Sequence, residues 1–396
     1  MSDGTASRTD RGPGRVLVVV GTRPEAIKMA PVVRALAGLP PAVESRLVLT
    51  GQHRELVDEA LAGFSMTPDW ELGVMRPDQS LYDVVQGCLE GLRGVVEEWS
   101  PHLILVQGDT ATVFTGALVG YFQGVAVGHV EAGLRSGDLR RPFPEEGFRR
   151  MAGVLADIHF APTERARENL LREGVPGERV HVTGNTVVDA LLAITSGRPK
   201  PGNRTLARLL AGEEPGREGP APFILLTAHR RESFGEPLER VFRGVRELVE
   251  ARPGIEVLYP VHPNPNVREP AARILGDHPR IHLEDPLGYG DLALALRAAA
   301  LVLTDSGGIQ EEAPTFGTPV LVLREVTERP EGVEAGVARL VGTDPELLVE
   351  EATRILEAGG REGGPGLREN PYGDGRAGER IAAVVQTFLA GRGRGR

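Results

Sequence analysis

At 396 residues the chain is longer than one hydrophobic core usually supports, so two domains are expected. Its 41% hydrophobic and 25% charged content is that of an ordinary globular protein, and a net charge of −10 with a pI near 5.5 argues against a nucleic-acid scaffold, which needs a basic face. Cys88 is the only cysteine, so no internal disulfide is expected, in keeping with a reducing cytoplasm; the polar start MSDGTASRTDRGPG is no secretory signal, and no apolar run reaches membrane-spanning length.

Residues 1–14 and the terminal GRGRGR read as disordered tails. From Arg15 onward, strands alternate with helices. Apolar runs at 15–20 (RVLVVV), 45–50 (SRLVLT), 102–107 (HLILVQ), 125–130 (VAVGHV) and 157–162 (DIHFAP) predict strands. Helical stretches fall near 24–37, 52–63, 80–99, 111–122 and 145–155, and 178–191 adds one more strand and helix. Strand cores without polar alternation are buried on both faces, which predicts a parallel sheet covered by helices. A Pro/Gly/charge-rich region then marks a domain boundary, placed between 192 and 193. A second series has strands at 223–228, 255–261, 280–285, 300–305 and 319–324, and a last helix at about Ala377–Ala390. The expected organisation is an N-terminal Rossmann-like domain over 15–192 and a second over 193–375. The segment 376–396, helix plus tail, is free to pack on either domain.

Five strand ends carry chemistry. After the first strand comes Gly21-Thr22-Arg23-Pro24-Glu25-Ala26-Ile27-Lys28, a tight turn into a helix with proline at its start. Lys28 and Lys200 are the only lysines, which leaves 43 of the 45 basic residues as arginine (45 − 2). A compact ammonium in an arginine-writing chain reads as a phosphate or substrate contact, or else as the partner of Glu25 one helical turn away. In the second domain Ser306-Gly307-Gly308 follows a strand and precedes Glu311-Glu312. Glycines and free helix-start amides suit a nucleotide phosphate, with Glu312 or Glu311 for ribose hydroxyls. The alternative is a glycine turn before an exposed acidic first turn.

Gln107-Gly108-Asp109-Thr110 and His129-Val130-Glu131 end two successive strands, and Phe143-Pro144-Glu145-Glu146 follows a basic, glycine-containing loop with Arg135, Arg140 and Arg141, so three carboxylates could converge on one face. Such carboxylates share acid and base duties; otherwise Asp109 caps the next helix and Glu145 sits in a first helical turn. His229-Arg230-Arg231 at the end of the second domain's first strand suits a diphosphate, and His262 reads as structural. Neither His229 nor His262 has metal-ligand spacing to a second histidine or cysteine, and neither glycine turn reads GxGxxG, so neither zinc nor bound NAD is expected.

Taken in order, GTRPEAIKMAP, QHRE, GDT, GHVEAGLRSGD, PFPEE, HRRESFG, DSGGIQEEAP and TERPE closely resemble the non-hydrolysing UDP-N-acetylglucosamine 2-epimerases, from about Arg15 to the last helix. The resemblance implies a glycosyltransferase-B-like fold of two Rossmann-like domains with an interdomain cleft, and usually a homodimer; from the residues themselves no cofactor, metal, nucleic-acid or membrane partner is expected. It implies interconversion of UDP-GlcNAc and UDP-ManNAc, supplying mannosamine units for surface polysaccharides. Residue by residue it implies Asp109, Glu131 and Glu145 as catalytic carboxylates and His229 beside the leaving diphosphate. Arg23 and Lys28 become substrate contacts, and Ser306, Gly307, Gly308, Glu312 and Arg329 the UDP site. Two departures stand out. Leu287 and Leu292 occupy positions where the family commonly has glutamine and phenylalanine beside uracil. The regulatory pattern Gln-His-Arg-Gln of some members here keeps Gln52 and His53 but ends in Glu55.

Carbon-2 of the sugar has no adjacent carbonyl, so its proton is not usefully acidic. Without a dinucleotide fingerprint, elimination of UDP to a glycal and re-addition is the expected route, with acid/base groups on both faces of the ring. The alternatives are a UDP-sugar glycosyltransferase of the same fold, a hydrolysing epimerase releasing ManNAc and UDP, and a silent sugar-nucleotide sensor.

Overall fold

The computed structural model describes residues 13–39, 43–51, 61–76, 79–197, 199–211, 222–360 and 370–392. Gln52 and His53, most of the helix expected over 52–63, and most of both tails lie outside these residues. The chain forms two compact units: residues up to Thr186 together with those from Arg376 onward, and Val187–Gly375.

The first unit runs β1 (Gly14–Val20), α1 (Arg23–Ala37), β2 (Val43–Leu49), β3 (Trp70–Glu71), α2 (Leu81–Trp99), β4 (Leu103–Gln107), α3 (Ala111–Gln123), β5 (Ala126–Val130), α4 (Glu145–Leu155), β6 (Ile158–Ala161), α5 (Glu164–Arg172) and β7 (Val180–Val182). Its seven strands are all parallel in the order β3-β2-β1-β4-β5-β6-β7. The order reverses beside β1, between β1 and β4. Ligands of open α/β sheets gather at the carboxyl ends of strands at such a switch point. Val16 to Val20 are all buried, as a parallel strand covered on both faces requires. α2 shows why its segment is a helix. Ser80 and Asp83 form a capping box, Val84, Cys88, Leu92, Val95, Val96 and Trp99 form one buried stripe, and Ser100 ends it in the left-handed conformation. β3, two residues long, is too short to leave a periodic signal and was not expected.

The second unit begins within α6 (Thr186–Ser196) and runs α7 (Arg204–Ala211), β8 (Phe223–Thr227), α8 (Glu236–Ala251), β9 (Glu256–Pro260), α9 (Pro265–Leu275), β10 (Ile281–Glu284), α10 (Tyr289–Ala298), β11 (Leu301–Thr304), α11 (Gly307–Glu312), β12 (Val320–Val322), α12 (Pro330–Glu334), β13 (Ala338–Leu340) and α13 (Pro345–Glu357). Its parallel sheet has the order β10-β9-β8-β11-β12-β13, with the switch point between β8 and β11. α8 buries Leu238, Val241, Phe242, Val245, Leu248 and Val249 against Ile224, Leu226, Val257 and Tyr259 of the sheet. Each such side chain contributes roughly 1.5–3 kcal/mol when fully buried.

The last helix, α14 (Ala377–Arg392), belongs to the first unit and packs on α1. A Cβ at Gly378 would sit 2.8 Å from the Pro31 carbonyl oxygen, so only glycine allows that approach. Two doubly wound parallel sheets are the expected fold class. No helix among the described residues is long and apolar enough to cross a membrane.

Candidate active site

In the first unit, the turns after β1, β4 and β5 wall a cleft of about 490 Å³, lined by Thr22, Arg23, Pro24, Glu25, Lys28, Gln107, Gly108, Asp109, Thr110 and Glu131. Its position is the switch point of the sheet. The β1 turn is tight because Gly21 is packed against threonines: a Cβ there would lie 2.1 Å from Thr112 Oγ1 and 2.8 Å from Thr50 Oγ1. Thr22 caps α1, accepting the Glu25 N–H. Thr110, not Asp109, caps α3. Asp109 is thus left to face the cleft, and its Oδ2 takes a hydrogen bond from the buried Arg149 guanidinium of α4.

Glu131 is the most constrained carboxylate. Its backbone is left-handed, with φ of +63°, a region that costs a non-glycine residue about 1–3 kcal/mol and clusters at functional sites. Lys28 Nζ donates to Oε1 at 2.5 Å, Asn185 Nδ2 donates to Oε1 at 3.1 Å, and Gln107 Nε2 donates to Oε2. These contacts hold the carboxyl group in one orientation. Lys28 therefore reaches across the fold to Glu131. Gln107 is itself buried, and its Oε1 has no hydrogen-bond partner among the described residues. Beneath the cleft, burial pushes His129 down to about 4, so the ring is neutral near pH 7, and its Nε2 meets the Gly108 carbonyl oxygen at 2.8 Å. That bond steadies the turn presenting Asp109.

Glu145 lies elsewhere. It is in the first turn of α4, half-buried, and is not part of the cleft lining. Its neighbour Glu146 is fully buried and binds the Ser136 N–H at 3.1 Å and Arg150 at 3.0 Å. Arg135 is engaged with Glu173 at 2.6 Å, and Arg141 is exposed.

In the second unit, the site is the pair of turns after β8 and β11. Asp305, 1% exposed, accepts the N–H groups of His229 and Arg230 at 2.7 and 2.8 Å through Oδ2, while Oδ1 faces His229 Nδ1 at 3.7 Å. Thr227 and Thr304 join the strand ends at 2.6 Å. His229 stacks on His262, with ring centroids 5.4 Å apart. Burial, opposed by Asp305 and helped by His262 and Arg230, holds the His229 ring below its usual range, so it is neutral near pH 7. Ser306 starts the six-residue α11. Gly307 lies under Arg329, whose Cζ would be 3.2 Å from a Cβ there, and Gly308 faces Glu312 Oε1, 3.4 Å from a Cβ. Glu311 is buried and accepts Arg329 Nε at 2.8 Å, so the Glu-Glu pair is not an exposed helix start. Leu287 and Leu292 are half-buried. Among the described residues, no group of three or more His, Cys, Asp or Glu is placed to hold a metal ion.

Residues 38–386 match the family model described as UDP-N-acetylglucosamine 2-epimerase. The chain belongs to the UDP-N-acetylglucosamine 2-epimerase family. The protein of that name from Escherichia coli K12 is 48% identical over 372 residues, 94% of this chain and 98% of that one. The crystal structure of the Neisseria meningitidis UDP-GlcNAc 2-epimerase, bound to UDP-GlcNAc, is 40% identical with a TM-score of 0.83, over 94% of this chain and all of that one. An S. aureus protein in a co-structure with UDP is 43% identical, TM-score 0.83, over 95% and 97%.

Within this epimerase fold the cleft of the first unit gathers Arg23, Lys28, Asp109 and Glu131, and the turns of the second unit carry His229, Ser306, Gly307, Gly308, Glu312 and Arg329. Sequence reasoning missed Asp305, Arg149 and Asn185. Asp305 had a usable signal: a carboxylate at the carboxyl end of a buried strand, at the switch point, directly before the Ser-Gly-Gly turn. Its replacement by alanine leaves two main-chain donors without their acceptor, at about 1–3 kcal/mol each. Asp305→Ala is expected to lower the unfolding midpoint in calorimetry; an unchanged midpoint would deny it this role.

Proposed function

We propose that this chain interconverts UDP-GlcNAc and UDP-ManNAc at carbon-2 without net hydrolysis, by elimination of UDP and its re-addition. The observation that carries the reading is the cleft in which Glu131, caged by Lys28, Gln107 and Asn185 in a strained backbone, shares the wall with Asp109. Membership of the epimerase family supports it, as do relatives whose structures hold UDP-GlcNAc or UDP.

A carboxylate of the first unit takes the carbon-2 proton. The electron pair forms the carbon-1–carbon-2 double bond, and the carbon-1–oxygen bond breaks to UDP. A second group returns a proton to the opposite face, and the UDP oxygen adds back to carbon-1. Atoms balance with no external oxidant. Glu131 and Asp109 are our assignment for this proton traffic, and Glu145 serves as a further carboxylate by the family resemblance alone. Arg23 and Lys28 offset the substrate's negative charge, and Gln107 Oε1 accepts a sugar hydroxyl or the acetamido N–H.

In the second unit, Ser306, Gly307, Gly308, Glu312 and Arg329 bind the nucleotide. His229, held neutral by burial, donates a hydrogen bond to the departing diphosphate, and Asp305 holds the turn that presents it by accepting the His229 and Arg230 N–H groups. The reading includes the homodimer that the resemblance implies.

Incubation with UDP-GlcNAc alone, resolved by chromatography, is the direct test. The expected result is a mixture of UDP-GlcNAc and UDP-ManNAc, reached from either side. Accumulating UDP and free ManNAc indicates hydrolysis instead, and unchanged substrate indicates a transferase or a sensor.

A further inference from the structure

Arg329 reaches the Ser306-Gly307-Gly308 turn from a segment well downstream of it, and two neighbouring residues of α11 hold it there. Glu311 holds the side chain: its Oε1 accepts Arg329 Nε at 2.8 Å, and Glu328 meets Nη1 of the same guanidinium at 3.4 Å. Gln310 holds the backbone through a relay. Its Nε2 donates to the Ser306 carbonyl oxygen at 3.2 Å, and its Oε1 accepts the Thr327 hydroxyl at 2.5 Å. Thr327 Oγ1 in turn accepts the Arg329 N–H at 3.0 Å. On the far side the buried Tyr372 hydroxyl accepts the Gly332 N–H at 3.1 Å and donates to the Arg329 carbonyl oxygen at 3.5 Å.

The guanidinium is packed directly on the glycine turn. A Cβ at Gly307 would lie 3.2 Å from Arg329 Cζ, 3.3 Å from Nη1 and 3.5 Å from Nε. Gly307 is the first residue of α11, so its backbone is helical and does not itself call for glycine. Alanine would favour the helix by up to about 1 kcal/mol. The missing side chain therefore leaves room for the guanidinium, which Glu311 keeps from swinging aside.

We propose that Glu311 is a positioning residue for nucleotide binding: its carboxylate fixes the Arg329 guanidinium against the Ser306-Gly307-Gly308 turn, where it meets the diphosphate of UDP. This inference rests on the reading that Arg329 binds the nucleotide.

The competing account is a plain buried ion pair that serves only packing. Apolar residues fill such a place as well or better, because both charges must leave water. Here the pair is lopsided. The Glu311 side chain is 2% exposed, whereas that of Arg329 is 17% exposed. One end is sunk into the fold and the other is presented at the turn. An arginine held by its Nε edge is aligned as a rigid fork, the form in which it matches phosphate oxygens.

The test measures UDP affinity by calorimetry and uridine affinity by competition. It compares wild type, Glu311→Ala, Glu311→Asp, Arg329→Ala and the double variant Glu311→Ala/Arg329→Ala. Glu311→Ala removes the acceptor, and Glu311→Asp withdraws it by one methylene while keeping its charge. Each should weaken UDP binding about tenfold, the scale of one hydrogen bond to a charged group. Uridine, which lacks the diphosphate, should bind all variants alike. With Arg329 already replaced, Glu311→Ala should cost no further UDP affinity, because Glu311 acts through Arg329. Should the alanine variant not fold, the aspartate variant decides. Unchanged UDP affinity in the folded Glu311 variants, an equal loss of uridine binding, or additive losses in the double variant would overturn the positioning role. A wild type that binds UDP but leaves UDP-GlcNAc unchanged defeats the epimerase reading alone. One that binds no UDP defeats both.

Discussion

Replacing Glu131 with glutamine is expected to cut hydrogen exchange at carbon-2 of the sugar by about 10³-fold or more, the scale of a lost general acid–base group. Glutamine is nearly isosteric, so Lys28, Gln107 and Asn185 keep a partner of similar shape. The cleft should persist, and UDP affinity should stay within about tenfold of wild type, about 1.4 kcal/mol. Exchange followed by proton NMR and UDP binding by calorimetry give the two numbers. Undiminished exchange would remove Glu131 from the chemistry. Loss of both exchange and UDP binding would make it a structural residue of the turn.

The second large effect is on stability. Two residues after Glu131 the chain turns at Gly133, with φ of +92°. A Cβ at that position would lie 2.2 Å from the Ala166 carbonyl oxygen and 2.8 Å from its carbon, both backbone atoms of α5. Neither can move like the end of a side chain. The same turn is held by Asn169 Nδ2, which donates to the Gly133 carbonyl at 2.9 Å. Gly133→Ala therefore combines left-handed strain with overpacking, about 2–5 kcal/mol together. For a unit of this size that corresponds to a fall of about 10 °C in unfolding midpoint. Calorimetry of the variant checks it, and a shift smaller than about 2 °C would mean that α5 yields more readily than its packing implies. Gly133 belongs to the motif that presents Glu131, so backbone freedom and chemistry are coupled within a few residues.

Strand ends and the motifs on them were legible because they are local. Apolar runs gave the strands to within a residue or two, and glycine, proline and acid patterns marked the turns. What the sequence could not display were pairings made by the fold. Lys28 stood out by composition, but its carboxylate partner is 103 residues away; Arg149 meets Asp109 across 40 residues, Asn185 meets Glu131 across 54, and Asp305 holds His229 across 76. Glu25 was the alternative partner for Lys28 and is instead buried, accepting the Gly21 N–H and the Thr22 hydroxyl. Asp109 looked able to cap α3, but Thr110 is one residue closer to the helix start and takes the cap. β3 and β13 escaped notice because two- and three-residue strands carry no periodicity.

On the proposed route UDP leaves and returns while the carbon-2 hydrogen exchanges with solvent. Incubation of the wild-type protein with UDP-GlcNAc in deuterated water, followed by proton NMR, tests it most directly. The expected products are UDP-ManNAc and UDP-GlcNAc both carrying deuterium at carbon-2, with no steady accumulation of UDP. Epimerisation that retains the original hydrogen, or net release of UDP with free sugar, would contradict it.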